Sequence, residues 1–244
     1  NAFGRYRRQL IEWCADVPYR LACSATPSPN DHTELGNHSE WLSVMDHAVM
    51  KARWFLNDLG DTVQPWRLKR HAVDDFWRWV ATWARCVSKP SDVGDYDDSR
   101  YDLPPLHIQQ HVVSVDIVTD APDGMLFRVP EMSATSIHRE KRRTLNARVR
   151  MMVDLVNREP DEPWVIWCET NDEQDAAVAA IPGIIDVRGS MTPSQKADGL
   201  LAFAQDGGCI VTKPKIAGMG LNWQHSARAV FLGGSYSFEQ FYQA

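Results

Sequence analysis

The sequence predicts an α/β protein whose parallel sheet carries helices on both faces. Three observations support this. From Trp164 onward, short apolar runs alternate with helical stretches at close intervals, the pattern of successive strand-helix-strand crossovers. Two of those helices open on matched capping residues, Thr170 with Glu173, and Thr192-Pro193 with Gln195. Near the other end, Tyr19–Ser24 is a short, largely apolar run closed by Ala25-Thr26-Pro27, as a buried parallel strand is closed at the ligand-bearing edge of a sheet.

In chain order, Phe3, Tyr6, Leu10 and Trp13 fall at helical spacing and predict a helix over 3–15, followed by the strand at 19–24. Asp31 with Glu34 can cap a second helix, whose apolar side is Leu35, Trp41, Leu42 and Met45. A third, over 73–87, carries Phe76, Trp77, Trp79 and Trp83. Residues 88–105 turn acidic and contain Pro90, Gly94, Pro104 and Pro105, so they read as a linker between domains at 1–102 and 103–244. Beyond it, 107–118 alternates as a strand, and 137–157 is an amphipathic helix with Leu145, Val149, Met152 and Val156 on one side. Strands follow at 164–168, 184–187, 209–212 and 229–232, with helices starting at Asn171 and Pro193.

Composition narrows the function classes. The net charge of −6, from 26 basic and 32 acidic residues, gives no global attraction to nucleic acid, so any polyanion site has to be local. The five cysteines are scattered without a paired CxxC, which signals neither a zinc site nor a disulfide framework and suits a reducing interior. No apolar run reaches the ~18 residues of a membrane span, and no signal peptide is visible, so a cytoplasmic, membrane-free protein is expected. His32, His38 and His47 lie close in sequence without a nearby cysteine or carboxylate cluster, and no metal site is assigned.

Two clusters of residues carry possible chemistry. Ser24 and Thr26 are hydroxyls at the end of the first expected strand, with Pro27 and Pro29 stiffening the exit; read alone they are ordinary turn formers. The second cluster, Val211–Gln224, follows a buried strand. Gly218 and Gly220 allow close backbone approach to a ligand, Asn222 and Gln224 offer amides, and Lys213 and Lys215 suit a phosphate.

In this order and spacing, the two clusters resemble the superfamily-two helicases and translocases, most closely the Swi/Snf-like helicases of bacteriophages. Ser24-Ala25-Thr26-Pro27 is similar to the motif closing a strand of that family's first RecA-like domain, and Ala217–Asn222 to the glycine-rich motif of its second. The stretches SPNDHTELGNHSEWLSVM, EPWVIWCETNDE and SFEQFYQA are similar to further segments of the phage subgroup. The resemblance implies two RecA-like parallel-sheet lobes, both incomplete here, with a helical, Trp-rich insertion in the first. It also implies a monomeric P-loop NTPase motor that binds ATP with Mg2+ between its lobes and moves on duplex or single-stranded DNA. Ser24 and Thr26 would couple nucleotide state to the DNA site, Gly218, Gly220 and Asn222 would line the nucleotide cleft, and Thr212 would contact DNA.

Departures from the pattern set a further expectation. The chain has no GxxxxGK[ST] loop and no Asp-Glu pair before Ser24, and it stops at Gln243-Ala244, where the family continues into its phosphoryl-stabilising arginines. Pro214 stands where the family often has a hydroxyl. Asp172-Glu173 follows an apolar strand but is accounted for by the capping box. The 244 residues are therefore expected to be an internal piece of a longer motor, unable by itself to hydrolyse ATP. The rival reading is a non-catalytic DNA-binding or adaptor protein on the same scaffold. An unrelated small-molecule enzyme lacks support, because no Ser-His-Asp or Cys-His signature is visible.

Two stretches mix aromatic and basic residues. Six tryptophans between Trp41 and Trp83 alternate with Arg53, Arg67, Lys69, Arg70, Arg78 and Arg85. Helical tryptophans of this kind build a core, and Trp66–His71, with Arg67, Lys69 and Arg70, is the part expected to be exposed and, by analogy with the family, to meet DNA. The basic stretch from Arg139 to Arg150 is expected to be a solvated helix face.

Overall fold

The chain divides into two units, Asn1–His107 and Ile108–Ala244. The computed structural model describes residues 5–57, 66–114, 134–234 and 237–244. In the first unit, α1 spans Arg5–Trp13, α2 Leu35–Trp41, α3 His47–Trp54 and α4 Val73–Trp83; β1 (Phe55–Asn57) and β2 (Trp66–Leu68) form an antiparallel pair with Phe55 opposite Leu68. Asp31 starts the turn leading into α2 by accepting from the Thr33 amide at 2.6 Å. Glu34 reaches back past it, accepting from the Asn30 amide at 3.2 Å. Asp46 caps α3 in the same way, accepting from the amides of Ala48 and Val49 at 2.7 and 3.2 Å.

The aromatic run of the first unit is a core. Leu35, Met50, Trp54, Phe55, Ala72 and Phe76 are buried together. Trp54 stacks on Trp79 with ring centroids 4.6 Å apart, and its indole nitrogen donates to Asp75 Oδ2 at 2.7 Å, which satisfies the one polar atom that burial would strand. The cations between the tryptophans cover their faces: Lys51 sits 4.5 Å over the Trp66 ring and Arg53 4.5 Å over Trp54.

One expected strand is absent, and the described part of another is irregular. Residues 19–24 are irregular, with Tyr19 91% and Leu21 82% exposed. No described segment pairs with them, and an unpaired strand has no ladder to hold it. The segment is instead tied down by Arg20, which donates to Trp41 O and to Ser43 Oγ. Residues 107–114 are likewise irregular and mostly exposed, and the rest of the strand expected there, 115–118, lies outside the described residues.

The first described helices of the second unit are α5 (Ala134–Arg143) and α6 (Leu145–Arg158), where the sequence predicts a single helix over 137–157. The break is at Thr144, whose hydroxyl donates back to Glu140 O at 2.7 Å and shares that carbonyl with its own amide at 2.9 Å, a back-bond of the kind that bends helices. The remaining elements are β3 (Trp164–Trp167), α7 (Asn171–Ala180), β4 (Ile185–Asp186), α8 (Pro193–Asp206), β5 (Cys209–Thr212), α9 (Pro214–Ala217), β6 (Arg228–Phe231) and α10 (Phe238–Gln243). Both predicted capping boxes form, Thr170 with Glu173 and Thr192 with Gln195.

The strands make one parallel sheet in the order β4-β5-β3-β6, with Trp167 level with Thr212 on one side and Phe231 on the other. Side-chain alternation sends Ile166 and Val211 to one face, against Val149 and Met152 of α6 and Ala177 of α7. Val165, Trp167 and Ile210 go to the other, against Phe203 of α8 and Ala217 of α9. Helices therefore cover both faces, as the alternating sequence pattern requires. The path from β3 to β4 runs one way across the sheet with α7 on the first face, and the returns to β5 and β6 run the other way with α8 and α9 on the second. That switch of faces keeps one handedness in all three crossovers.

His47 gives the first unit a dependence on pH. It is 5% exposed, and burial first, then Lys51 and Arg7, pushes its ring below the ordinary value of 6.5, against an opposing pull from Glu40 and Asp46. The folded chain thus binds this proton less readily than the unfolded chain, so stability is held above that value and lost as the pH falls below it. Chemical denaturation of the wild type and His47→Gln should show their stability gap narrowing as the pH is lowered from neutrality. A gap independent of pH would contradict this account.

Candidate ligand cleft at the carboxyl edge of the sheet

Adjacent strands β3 and β5 send their outgoing connections to opposite faces, α7 to one and α9 to the other. In an open parallel sheet, such a divergence opens a crevice at the carboxyl ends of the two strands. A cavity of about 290 Å³ lies there, walled by Cys168 and Glu169 after β3, Lys213 and Lys215 after β5, and Phe231 and Gly233 at the end of β6. Trp167 forms its floor, 3% exposed and stacked on Phe231 with centroids 6.3 Å apart.

The cleft's polar groups differ in what they are able to do. Lys213 Nζ donates to Asn171 Oδ1 at 2.7 Å, while Lys215 is exposed. The Cys168 thiol donates to Thr212 O at 3.4 Å and is pushed by burial up to about 12, so it stays protonated and is no nucleophile at neutral pH. The indole nitrogen of Trp167 is buried and has no hydrogen-bond partner among the described residues. No cluster of His, Cys, Asp or Glu among the described residues is arranged to hold a metal ion.

The glycine-rich segment has a geometric basis at two positions. A Cβ on Gly218 would lie 2.5 Å from Pro214 O, the carbonyl that its own amide bonds at 2.7 Å to close α9. Gly220 has φ of +74°, in the left-handed region. Met219, Gly220 and Asn222 are exposed in the loop that follows. Thr212, expected to contact DNA, is instead fully buried, and its hydroxyl donates to Val187 O at 3.0 Å, binding β5 to the end of β4.

The remaining expected site residues belong to the first unit. Ser24 is exposed and its hydroxyl accepts from the Thr26 amide at 3.1 Å, a local turn. Arg67 and Arg70 are exposed on and after β2. Lys69 is half-buried and donates to Ala52 O and Arg53 O at 3.0 and 2.8 Å, closing the end of α3.

One side of the cleft rests on residues that the sequence pattern assigns to a solvated face. Arg148 of α6 donates through Nη1 to Glu173 Oε1 at 2.7 Å and to Leu232 O, and through Nη2 to Lys141 O at 2.5 Å. Glu173 is 1% exposed, and its other oxygen accepts from the amides of Glu169 and Thr170 at 2.9 and 3.1 Å. Lys141 donates to Glu169 and to Gly234 O at 2.5 Å. Burial first, then Arg148, pushes the Lys141 ammonium below its ordinary value, with Glu173 opposing. Arg139, Arg142 and Arg150 do remain exposed. A signal for Arg148 was present in the sequence, since it shares a helix face with Leu145, Val149 and Met152.

Gly218→Ala should lower stability by about 1–3 kcal/mol, because the neighbour that must move is backbone. Gly220→Ala should cost about 1–2 kcal/mol for its left-handed conformation. Denaturant midpoints check both; a neutral Gly218→Ala would show that α9 does not close on Pro214 O. No family model, curated protein or solved structure matches this chain.

Proposed function

We propose that the chain is part of an ATP-dependent DNA helicase or translocase of the superfamily-two class, in which the carboxyl-edge cleft of the second unit faces the DNA and the nucleotide. The observation that carries this reading is the position of the Lys213–Asn222 segment. Its two lysines wall a crevice at the divergence of two parallel strands, and Gly218 closes α9 onto Pro214 O, a residue of the same wall. Lysine side chains there neutralise phosphates, and most of the affinity of a DNA contact of this kind is electrostatic.

In this reading Gly218, Gly220 and Asn222 approach the nucleotide, which the intact protein binds as ATP with Mg2+. Ser24 and Thr26 relay nucleotide state to the DNA site. Arg67 and Arg70 supply a second, local DNA contact from the first unit, and Lys69 holds α3 beside them. Thr212 supports the edge from within by joining β5 to β4. The net charge of −6 fits such a division, because binding then depends on a few placed cations rather than on overall attraction.

Fluorescence anisotropy with a labelled single-stranded oligodeoxynucleotide, titrated at several salt concentrations, tests the DNA surface. Lys213→Gln and Lys215→Gln should each weaken binding, and each should lower the magnitude of the salt slope by about one for every phosphate no longer neutralised. Binding that is unchanged in both variants, in affinity and in slope, would remove the cleft from the DNA path. DNA-stimulated phosphate release by the intact protein separates a motor from a non-catalytic DNA-binding scaffold.

A further inference from the structure

Two walls of the cleft are loops of different origin, the one after β3 with Glu169 and the turn after β6 with Gly233. Both are held from outside by the same pair of helices. Lys141 of α5 donates to Glu169 in the first wall and to Gly234 O in the second. Arg148 of α6 donates to Leu232 O in the second wall and to Glu173, whose other oxygen holds the amides of Glu169 and Thr170 in the first.

We propose that Arg148 and Lys141 are positioning residues for the cleft, tying the α5–α6 pair to both of its walls so that the placement of that pair sets the width of the site. The inference rests on the cleft being the ligand site, as proposed above. Its physical basis is the number of bonds that converge on one guanidinium. Arg148 spends its fork on several elements at once: Nε donates to Thr144 Oγ1 at 3.1 Å, Nη1 to Glu173 and Leu232 O, and Nη2 to Lys141 O. A lysine keeps the charge but cannot reproduce that planar fork.

Gly233 makes the arrangement tighter. A Cβ at that position would collide with the Glu173 carboxylate and lie 3.2 Å from Arg148 Nη1, so the turn packs its backbone directly onto the ion pair. A shift of α6 therefore reaches the cleft wall through the Arg148 guanidinium and the Glu173 carboxylate, which lie directly against the Gly233 backbone.

The test is Arg148→Lys, read by amide hydrogen exchange and by oligodeoxynucleotide binding. Exchange at Glu169 and Thr170, whose amides are held by the Glu173 carboxylate that Arg148 orients, should rise by about tenfold or more, as the removal of a charge-assisted bond implies, while Ile166 and Val211 in the sheet keep their protection. Affinity for the oligodeoxynucleotide should fall with the salt slope unchanged, because every phosphate keeps its cation; Lys213→Gln, in contrast, lowers the slope. Should Arg148→Lys fail to fold, the double variant Arg148→Met with Glu173→Leu removes both charges together and is expected to keep sheet protection while freeing the amides of Glu169 and Thr170. Unchanged exchange at those amides overturns the proposal. If the wild type binds no DNA, the functional reading falls while exchange still decides whether the two helices hold the cleft walls.

Discussion

The second unit depends on one buried charge. Glu173 is 1% exposed, and a carboxylate so placed is tolerated only when every oxygen is met. Its oxygens are divided between the amides that lead into α7 and the guanidinium of Arg148. Removing one partner from a buried pair costs about 3–5 kcal/mol, since the other charge stays behind unpaired. The position of α6 against α7, the entry into α7 and the turn after β6 are thus set by a single requirement of electrostatic satisfaction. The same residue is the reciprocal member of a capping box, so a local signal in the sequence became a tertiary anchor.

Around that anchor the sheet follows from alternation and handedness. Trp164–Trp167 is buried along its whole length because strands flank it on both sides and helices cover both faces. The divergence of connections between β3 and β5 then produces a cleft as a matter of topology, before any side chain is considered. Side chains decide its character. Lys213 and Lys215 make one wall positive, aromatic rings make the floor, and the buried Cys168 adds no reactivity. On a chain of net charge −6 this positive charge is local, and salt screens it with distance.

The first unit uses its charged residues differently. Arg53 and Lys51 lie over tryptophan rings, Lys69 closes a helix, and Arg20 pins an irregular segment to Trp41 O. Long basic side chains here cover apolar surface and satisfy carbonyls, which reduces the number that can face a polyanion. Arg67 and Arg70, on and just after the short ribbon, are exposed.

Local chemistry in the sequence was enough to determine the helices that begin at Thr170 and Thr192, the strands at 164–167 and 209–212, and the aromatic core around Trp54 and Phe76. Capping boxes and unbroken apolar runs are short-range signals that few alternatives can satisfy. The glycines of the 218–220 segment were legible for the same reason, as positions where backbone geometry excludes a side chain. Tertiary structure alone decided the rest. Residues 19–24 read as a strand, yet pairing depends on a partner that periodicity cannot supply. Thr212, to which the resemblance assigns a DNA contact, is buried, because register with β4 sends it toward Val187 O. Lys141 and Arg148 read as a solvated face and instead hold the edge of the sheet, because the loops they bind lie 28 to 93 residues away in sequence and meet them only in the folded chain.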